Sequence, residues 1–382
     1  MEVSQAMHDL IVKNSRGQSK VFYFTDHDTN YKGINIDDYN ILFIDEIVKK
    51  INNKLFKYVA SKSQNILEIN SGEDAKRIDN VFHTLKEIEL LKIEPVDRAL
   101  VVGGGTIQDL AGTCLGLMKR GTKWDFIPTT VLAQCDSCIG SKTSINSFNS
   151  KNSYGLFCSP EYIYIINSIA LGQSDKDLMS GFGDALHYLF LNPSKEYNYL
   201  KKQMLEILEK GINKYFQSTN AVLDLAYHCH LIKKEYIEID EFDQGCRKKL
   251  NLGHSFGHAI EKLFNHTIPH GIAVMHGIYM AYIIEICINP EYRPYEEVKI
   301  AELVQYVIEI LRSETEFSPE KVQEKILDEL DLYLSILKRD KKNKMNEFIV
   351  VLLSQKPYLK SLSYSELKDL LPKVSTMLRS RI

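Results

Sequence analysis

Three histidines lie within seventeen positions of the segment LNLGHSFGHAIEKLFNHTIPHGIAV, which spans residues 250–274. His254 and His258 are four residues apart in a helical pattern, so they share one face of a helix. His270 follows a loop closed by Pro269 and opens the next helix, from which it could return to the same place. Because catalytic zinc typically takes three protein ligands, a carboxylate or the third histidine would have to complete such a site. Polar histidines in a helical core are the alternative.

Basic and amide side chains form two further groups that could bind anions. The first lies among small residues in AQCDSCIGSKTSINSFNSKNSYG and comprises Asp136, Lys142, Lys151 and Asn152. Lysine is a compact point charge suited to phosphate, and asparagine adds oriented donors. The second group is Arg247 with Asn251, just before the histidines, and arginine suits two-point binding of a carboxylate. A solvated loop with incidental lysines would explain the first group equally well.

Three consecutive glycines follow an apolar run in VVGGGTIQDLAG, residues 101–112. Such a turn lets backbone amides approach a pyrophosphate, and the N-terminus of the following helix adds a favourable partial positive charge. The spacing differs from the usual GxGxxG, and glycine turns after strands are common. The PTT at 128–130 follows the next strand and brings hydroxyls to the same edge of the sheet. Together these features favour a dinucleotide site.

The elements that must position these groups change character along the chain. The first half carries short runs rich in Val, Ile, Phe and Tyr, separated by helical patterns such as 75–91. These runs are KVFYFT (20–25), YNILFID (39–45), ALVVGGG (99–105), WDFIPTT (124–130) and EYIYII (161–166). Strands that alternate with helices predict an α/β fold with a parallel sheet. From about residue 174, apolar residues recur at helical spacing, which predicts helices with one late strand or buried segment at 344–354.

Whole-chain properties exclude several classes of protein. The 382 residues indicate two domains, and a net charge of −3 gives no electrostatic reason to bind nucleic acid or an anionic membrane. Seven cysteines in so long a chain do not form a disulfide scaffold, and Cys135 and Cys138 are interpreted as small buried thiols. No secretory signal is visible, so a cytoplasmic location is expected. The apolar segment 271–288 contains His276 and Glu285, which favours a core helix over a membrane span.

Several motifs together resemble those of a known enzyme family. They are GGGTIQDLAG, IPTTVLAQCDSCIGSKTSIN, KNSYG, DEFDQGCRKKLNLGHSFGHAIE and HGIAV. In this order and spacing they are similar to 3-dehydroquinate synthase and its sugar-phosphate cyclase relatives, from about residue 39 to 350. The resemblance implies an N-terminal Rossmann-like NAD-binding domain (1–173) and an all-helical metal- and substrate-binding domain (174–382), with the site in the cleft between them.

The resemblance implies a NAD site at the carboxyl ends of the first strands. Asp45 is similar to the family's ribose-contacting residue, and Glu73 with Lys76 fits its GExxK motif. The other cofactor-binding positions that it implies are Gly104, Gly105, Asp109, Thr129, Thr130, Asp136, Lys142 and Lys151.

The resemblance also implies how a phosphorylated sugar-acid substrate is held. Phosphate ligands are expected at Lys142 and Asn152, and at Arg120, which in the family reaches over from the partner of a homodimer. The remaining substrate-site positions are Lys233 and Arg247 at the carboxylate, Asn251, His258, and Lys341 or Lys342 at the phosphate.

The metal site is where the chain departs from the family. The implied ligands of Zn²⁺, or another divalent ion such as Co²⁺, are Asp184, His254 and His270. The family helix SGxAExxKY reads SGFGDALHY here, so Asp184 replaces a glutamate and His187 replaces a phosphate-binding lysine. Asp is shorter than Glu, so the ion or the helix must shift, or His187 joins the metal shell from the same helical face. Ile272 replaces a carboxylate that could orient His270, and Gln108 stands where glycine is usual.

The activity implied is conversion of 3-deoxy-D-arabino-heptulosonate 7-phosphate to 3-dehydroquinate and phosphate, a step of the shikimate pathway. It combines transient oxidation, phosphate elimination, re-reduction and intramolecular aldol addition. The departures at 184, 187 and 272 motivate an alternative, a specialised cyclase acting on another heptulose or amino-heptulosonate phosphate. Two further alternatives are an alcohol dehydrogenase with net redox chemistry and a degenerate, non-catalytic family member.

Overall fold

The structure is a computed structural model in which the chain divides into two compact units. It describes residues 9–25, 39–63, 65–70, 72–92, 97–148, 150–217, 220–290, 295–338, 347–354 and 356–380. Unit 1 comprises Met1–Ser174 and Phe216–Asp243, and unit 2 comprises Asp175–Tyr215 and Gln244–Ile382. The segment Phe216–Asp243 therefore groups with the first unit, whereas the sequence placed it in the second domain, 174–382.

Unit 1 contains a mostly parallel sheet of short apolar strands. The strands of the described chain are β1 (Leu10–Asn14), β2 (Gly17–Phe24), β3 (Ile41–Asp45), β4 (Ile66–Ile69), β5 (Arg98–Gly103), β6 (Lys123–Pro128), β7 (Lys142–Ser147), β8 (Ser150–Phe157), β9 (Tyr162–Ile166), β10 (Glu347–Leu352) and β11 (Tyr358–Ser363). Seven of them form the order β1-β2-β9-β6-β5-β3-β4, in which every pair except β1–β2 is parallel. The five predicted strands correspond to β2, β3, β5, β6 and β9, which confirms the α/β prediction.

The central strands β3, β5 and β6 are buried because both faces of the sheet are covered. Their core side chains include Leu42, Ile44, Leu100, Val102 and Ile127, all with essentially no exposed surface. Continuous apolar runs of this kind are characteristic of parallel strands packed on two sides. Since parallel strands share one carboxyl edge, the residues that follow β3, β5 and β6 meet at that edge, as the predicted nucleotide site requires.

Helices account for most of the remaining structure. The α-helices are α1 (Glu46–Ile51), α2 (Asn53–Ala60), α3 (Ile78–Leu90), α4 (Gly105–Leu117), α5 (Asp175–Leu189), α6 (Pro193–Lys210), α7 (Ile212–Phe216), α8 (Ala221–Ile239), α9 (His254–Leu263), α10 (His270–Ile288), α11 (Tyr295–Ser313), α12 (Pro319–Asp328), α13 (Leu330–Lys338) and α14 (Tyr364–Ser380). Shorter helical turns lie at Glu73–Lys76, Met118–Arg120, Ala133–Ser137, Asn167–Gly172, Cys246–Asn251 and Thr315–Phe317. Helix α8 packs on the turn Ala133–Ser137 and on β1, which explains its place in unit 1.

Unit 2 is mainly helical, but the predicted all-helical domain is wrong in one detail. Strands β10 and β11 pair in an antiparallel hairpin. The late strand predicted within 344–354 contains β10, while residues 344–346 lie outside the described chain. The hairpin packs against α10 and α13 and so covers part of the helical core.

Helices α5, α9 and α10 pack at unusually close range. A Cβ at position 271 would overlap the main-chain oxygen of Ser180 in α5, and one at position 277 would overlap that of Gly253, the residue before α9. Only glycine at 271 and 277 allows both approaches. This packing sets the distance between the side chains that α5, α9 and α10 present to one another.

Helix α10 is the apolar segment predicted to be a core helix. It is long and apolar enough to cross a membrane, but 83% of its most apolar window is buried inside the structure. Its residues from Gly271 to Glu285 are all buried, including His276 and Glu285. The core-helix prediction is confirmed.

Candidate active site

The glycine turn joins β5 to α4 at the carboxyl edge of the sheet. Gly104 is the N-cap of α4, and it has no side chain to accept a hydrogen bond from the first N–H groups of the helix. The first N–H groups of the helix are thus open to an anion. A Cβ on Gly104 would lie 3.2 Å from Cγ2 of Thr130, so glycine keeps the space between the ends of β5 and β6 clear. Thr129 is buried there, with its N–H bonded to the carbonyl of Gly103 at 3.0 Å. These features fit a pyrophosphate.

Two of the acidic residues assigned to the nucleotide, Asp45 and Glu73, also have structural partners. Asp45 ends β3, and its Oδ1 accepts a hydrogen bond from the N–H of Ile47 at 3.1 Å, which caps α1. Glu73 accepts a hydrogen bond from Nδ2 of Asn146 at 2.7 Å, and its other oxygen lies 3.8 Å from Nζ of Lys151. Contacts with a nucleotide at these positions stay predictions.

Lys76, Asp109 and Asn152 form one network with Ser144, in which Lys76 is buried, Asp109 and Ser144 are half-buried and Asn152 is exposed. Lys76 Nζ lies 2.6 Å from Oδ2 of Asp109, 2.6 Å from Oδ1 of Asn152 and 3.4 Å from Oγ of Ser144. Asp109 also accepts the N–H of Ser144 at 2.9 Å. An ammonium group has three donors, and three acceptors already face it. The structure therefore brings together three predicted site residues, and it engages Lys76 with protein groups instead of leaving its donors open.

Gln108, where the family usually has glycine, forms a reciprocal pair with Ser137. Its Nε2 donates to the main-chain oxygen of Ser137 at 2.7 Å, and the hydroxyl of Ser137 donates to Oε1 of Gln108 at 2.6 Å. Gln108 is 1% exposed. The side chain of Gln108 is thus accommodated through hydrogen bonds that link α4 to the turn Ala133–Ser137, beside the glycine turn.

Two further lysines of unit 1 are paired with aspartates. Lys142 Nζ lies 2.7 Å from Oδ2 of Asp243, and the lysine side chain is 46% exposed. Lys233 Nζ lies 2.6 Å from Oδ1 of Asp136 and 2.7 Å from its main-chain oxygen, and the lysine is buried. An anion at either ammonium would have to share it with the aspartate. Sequence reasoning missed Asp243, although its position four residues before Arg247 was a usable signal.

The remaining predicted substrate residues occupy separate positions. Arg247 is buried in the turn Cys246–Asn251 of unit 2, and Nδ2 of Asn251 donates to the main-chain oxygen of Lys248 at 2.9 Å. Arg120 is exposed at the end of the turn after α4, with a left-handed φ of 64°. Lys341 and Lys342 lie outside the described residues.

In unit 2, Asp184 is the centre of a buried cluster of imidazoles. Its Oδ1 lies 3.3 Å from Nε2 of His254, 3.5 Å from Nε2 of His270 and 3.6 Å from Nδ1 of His187. The ring of His258 is 5.5 Å from the rings of both His254 and His270. Helices α5, α9 and α10 thus bring the three predicted metal ligands together. Separations of 3.3–3.5 Å match the edge of a tetrahedron of ligands about 2.0–2.1 Å from one ion.

The Asp184 carboxylate is chemically unsatisfied. It is 1% exposed, and within the described chain neither of its oxygens receives a hydrogen bond of normal geometry. Burial alone would raise the pKa of Asp184, but hydrogen-bonding contacts with His254 and His270, together with the charges of protonated His270 and His187, outweigh it and hold that pKa well below its usual range. An ionised buried carboxylate costs several kcal/mol unless a cation compensates it, and either protonated imidazoles or a metal ion can be that cation. The donor set of one carboxylate and neutral imidazoles fits Zn²⁺ or Co²⁺.

The two predicted histidine ligands are oriented with Nε2 toward Asp184 and Nδ1 toward a protein acceptor. Nδ1 of His254 lies 3.2 Å from the main-chain oxygen of Leu252, and Nδ1 of His270 lies 3.2 Å from Oε2 of Glu261. With the proton on Nδ1 donated to these acceptors, the lone pair is on Nε2, the nitrogen that faces Asp184. The sequence did not single out Glu261, although it lies on the same helix as His254 and His258.

Comparison with known families identifies the chain. Residues 66–179 match the profile of the 3-dehydroquinate synthase N-terminal domain, and residues 181–343 match that of the 3-dehydroquinate synthase C-terminal domain. The chain belongs to the 3-dehydroquinate synthase family. This confirms the family that the motifs indicated.

Individual relatives agree with this membership. A 3-dehydroquinate synthase from Macrococcus caseolyticus is 29% identical over 329 residues, which cover 86% of this chain and 85% of the relative. A crystal structure of 2-deoxy-scyllo-inosose synthase complexed with carbaglucose-6-phosphate, NAD⁺ and Co²⁺ has a TM-score of 0.75 at 18% identity and covers 98% of this chain and 100% of that one. A 2-epi-5-epi-valiolone synthase from Streptomyces hygroscopicus subsp. jinggangensis, with NAD⁺ and Zn²⁺ bound, has a TM-score of 0.75 at 17% identity and covers 98% of this chain and 99% of that one. The structural matches confirm the predicted fold.

One departure from the family motif has a visible replacement in this 3-dehydroquinate synthase family member. Ile272 is fully buried in α10. Its side chain is a hydrocarbon, so position 272 contributes no carboxylate to the metal site. The carboxylate of Glu261 nevertheless contacts Nδ1 of His270 from α9. His270 therefore has an orienting carboxylate from α9 even though position 272 provides none.

Glu261→Gln is expected to weaken metal binding, because outer-shell partners of ligating histidines typically contribute ~10–100-fold in affinity. The amide keeps the shape of Glu261 but loses the negative charge that makes His270 a stronger ligand. Competition with a chromophoric chelator measures the dissociation constant. Glu316→Gln, an exposed change elsewhere in unit 2, is the control. An unchanged constant for Glu261→Gln would contradict the orienting role.

Proposed function

We propose that this family member converts 3-deoxy-D-arabino-heptulosonate 7-phosphate to 3-dehydroquinate and phosphate, as a carbon–oxygen lyase that uses NAD and a divalent ion. The observation that carries the proposal is the buried carboxylate of Asp184, which receives no hydrogen bond of normal geometry within the described chain while two Nε2 atoms lie 3.3 and 3.5 Å away. Such a group fits a metal ion. Family membership supports the reaction, and the open N-terminus of α4 supports the nucleotide.

The residues of the chain bind, orient and exchange protons in this reaction. A bound divalent ion would supply a Lewis acid for a substrate oxygen, and bound NAD would supply a reversible hydride acceptor with no net redox change. Arg247 and Lys233 hold the substrate carboxylate. Lys142 and Asn152 hold the phosphate. On binding, Lys142 and Lys233 exchange their aspartate partners for the substrate. His258 lies on the substrate side, where a neutral imidazole can accept a proton near neutral pH.

We also propose that the enzyme acts as a homodimer in the cytoplasm. Arg120 is exposed at the end of a turn, so its side chain is accessible to a second copy. All seven cysteines are free thiols, which suits a reducing compartment. We further propose that residues 1–173 form the NAD-binding domain and residues 174–382 the metal- and substrate-binding domain.

A second candidate function is cyclisation of another sugar phosphate. The observation that favours it is His187, which is 1% exposed beside Asp184 at the position of a phosphate-binding lysine. A buried imidazole carries less charge than a lysine near neutral pH, so a phosphate there is held differently. The substrate would be another heptulose or amino-heptulosonate phosphate.

An assay of phosphate release distinguishes these functions. Protein supplied with Zn²⁺ and NAD⁺ is expected to release phosphate from the heptulosonate phosphate with no accumulation of NADH. Release only from another member of a heptulose phosphate panel would establish the second candidate instead. Steady NADH production from an alcohol would indicate a dehydrogenase, and a protein that binds neither Zn²⁺ nor NAD⁺ would be a non-catalytic member.

A further inference from the structure

His187 is buried one helical turn after Asp184 and points into the same cluster. It is 1% exposed, and its Nδ1 lies 3.6 Å from Oδ1 of Asp184. Its ring is perpendicular to that of His254, with centroids 4.6 Å apart. Asp184, His187 and His254 can each offer one ligand atom such that all three lie within 4.8 Å of one another. His187 therefore lies close enough to contact an ion held by Asp184 and His254.

The hydrogen bonding of His187 follows the same pattern as that of the two assigned histidine ligands. Its Nδ1–H donates to the main-chain oxygen of Asp184. Nδ1 of His254 faces the carbonyl of Leu252, and Nδ1 of His270 faces Glu261. Metal-ligating histidines characteristically donate one ring N–H to a carbonyl or carboxylate, which leaves the lone pair on the other nitrogen. By this criterion Nε2 is the candidate ligand atom of each imidazole. In His254 and His270 that nitrogen faces Oδ1 of Asp184, whereas the 3.6 Å contact of His187 with Oδ1 is made by Nδ1.

We propose that His187 is a third imidazole ligand, so that the ion is held by Asp184, His187, His254 and His270. The proposal deepens the metal half of the proposed function. An aspartate reaches less far from α5 than a glutamate would, and an imidazole from the next turn of the same helix compensates for the shorter reach. The substitutions at 184 and 187 are thus one coupled change in the metal shell.

A shell of one carboxylate and three imidazoles has a chemical consequence. Imidazole ligands favour Zn²⁺ and Co²⁺ over oxygen-preferring ions such as Mg²⁺. A fourth protein ligand would leave less room for a substrate oxygen at the ion than the three protein ligands typical of catalytic zinc sites. His187 is then committed to the ion and does not bind phosphate as a lysine would.

The number of histidine ligands can be counted directly in the Co²⁺-loaded full-length protein. Each imidazole bound through Nε2 keeps an exchangeable Nδ1–H, which gives one strongly shifted proton NMR signal that disappears in D₂O. The proposal expects three such signals in the native protein. Two signals would overturn it, whether or not the protein releases phosphate from any substrate. Failure of the proposed reaction and failure of this inference are therefore distinguishable.

Matched variants identify the third histidine. His187→Gln is expected to lose one of the three signals and to bind Co²⁺ at least about 10-fold more weakly, since loss of a ligand costs no less than loss of an outer-shell partner. His258→Gln, at a neighbouring histidine, is expected to keep all three signals. Loss of a signal in His258→Gln and not in His187→Gln would overturn the assignment. His187→Lys restores the residue type of the family motif and serves if the glutamine variant does not fold.

Discussion

His254→Ala is expected to abolish metal binding, with the dissociation constant rising by more than about 100-fold, because even an outer-shell partner contributes ~10–100-fold. The variant removes one of the imidazoles that face Asp184, at 3.3 Å, and leaves a buried carboxylate with weaker compensation. Because the proposed reaction uses the ion, phosphate release is expected to fall together with metal binding. The ion also stabilises the native fold, by about 2.7 kcal/mol when its concentration is 100 times its dissociation constant. His254→Ala is expected to lose that increment.

The measurement compares the metal content and thermal unfolding of His254→Ala and His258→Ala, with and without added Zn²⁺. The two histidines are one turn apart on α9 and both are half-buried. His258→Ala is expected to retain the ion and its stabilisation while losing phosphate release, because His258 is assigned to the substrate. A stoichiometric ion in purified His254→Ala, or metal loss confined to His258→Ala, would show that the ligands were assigned wrongly.

The sequence predicted the parts of the fold that depend on local pattern. Strands β3, β5 and β6 are apolar runs ended by Asp, Gly or Pro, and each is found within two residues of its predicted bounds. The hairpin of β7 and β8 was not predicted, because KTSINS and SKNSYGLF are polar and contain no apolar alternation strong enough to indicate strands. Helix α8 was recognised as a helix, but periodicity does not show which unit a helix packs against.

Local sequence pattern also predicted only those parts of the site that depend on residues close together in the chain. His254 and His258 share a helix, so their proximity follows from spacing alone. Asp184 lies seventy positions before His254, and only the family motif connected the two. The contact of Glu261 with His270 depends on how the loop between α9 and α10 folds back, which no local pattern specifies. Lys76 was assigned to the nucleotide by a motif that carries no information about its buried partners.

Lys76→Met is expected to destabilise unit 1 by about 3 kcal/mol, the lower end of the ~3–5 kcal/mol typical for breaking a buried ion pair. The methionine leaves the Asp109 carboxylate buried without its cation. The lower end applies because Asp109 still accepts the N–H and hydroxyl of Ser144, at 2.9 and 3.2 Å. Urea unfolding followed by the fluorescence of Trp124 measures the loss, since Trp124 is the sole tryptophan and is fully buried in β6 of unit 1.

The control and the pH dependence make this prediction specific to a buried charge. Lys142→Met removes a pair whose lysine is 46% exposed, and is expected to cost only ~0–1 kcal/mol. Burial raises the pKa of Asp109 even though Lys76 lowers it, and removing Lys76 raises it further. A carboxyl with a raised pKa folds most favourably when protonated. The deficit of Lys76→Met should therefore be small near the ordinary aspartate pKa of ~3.9 and grow as pH rises through the raised pKa of Asp109. A deficit independent of pH would mean that lost packing, and not the unpaired carboxylate, causes the instability.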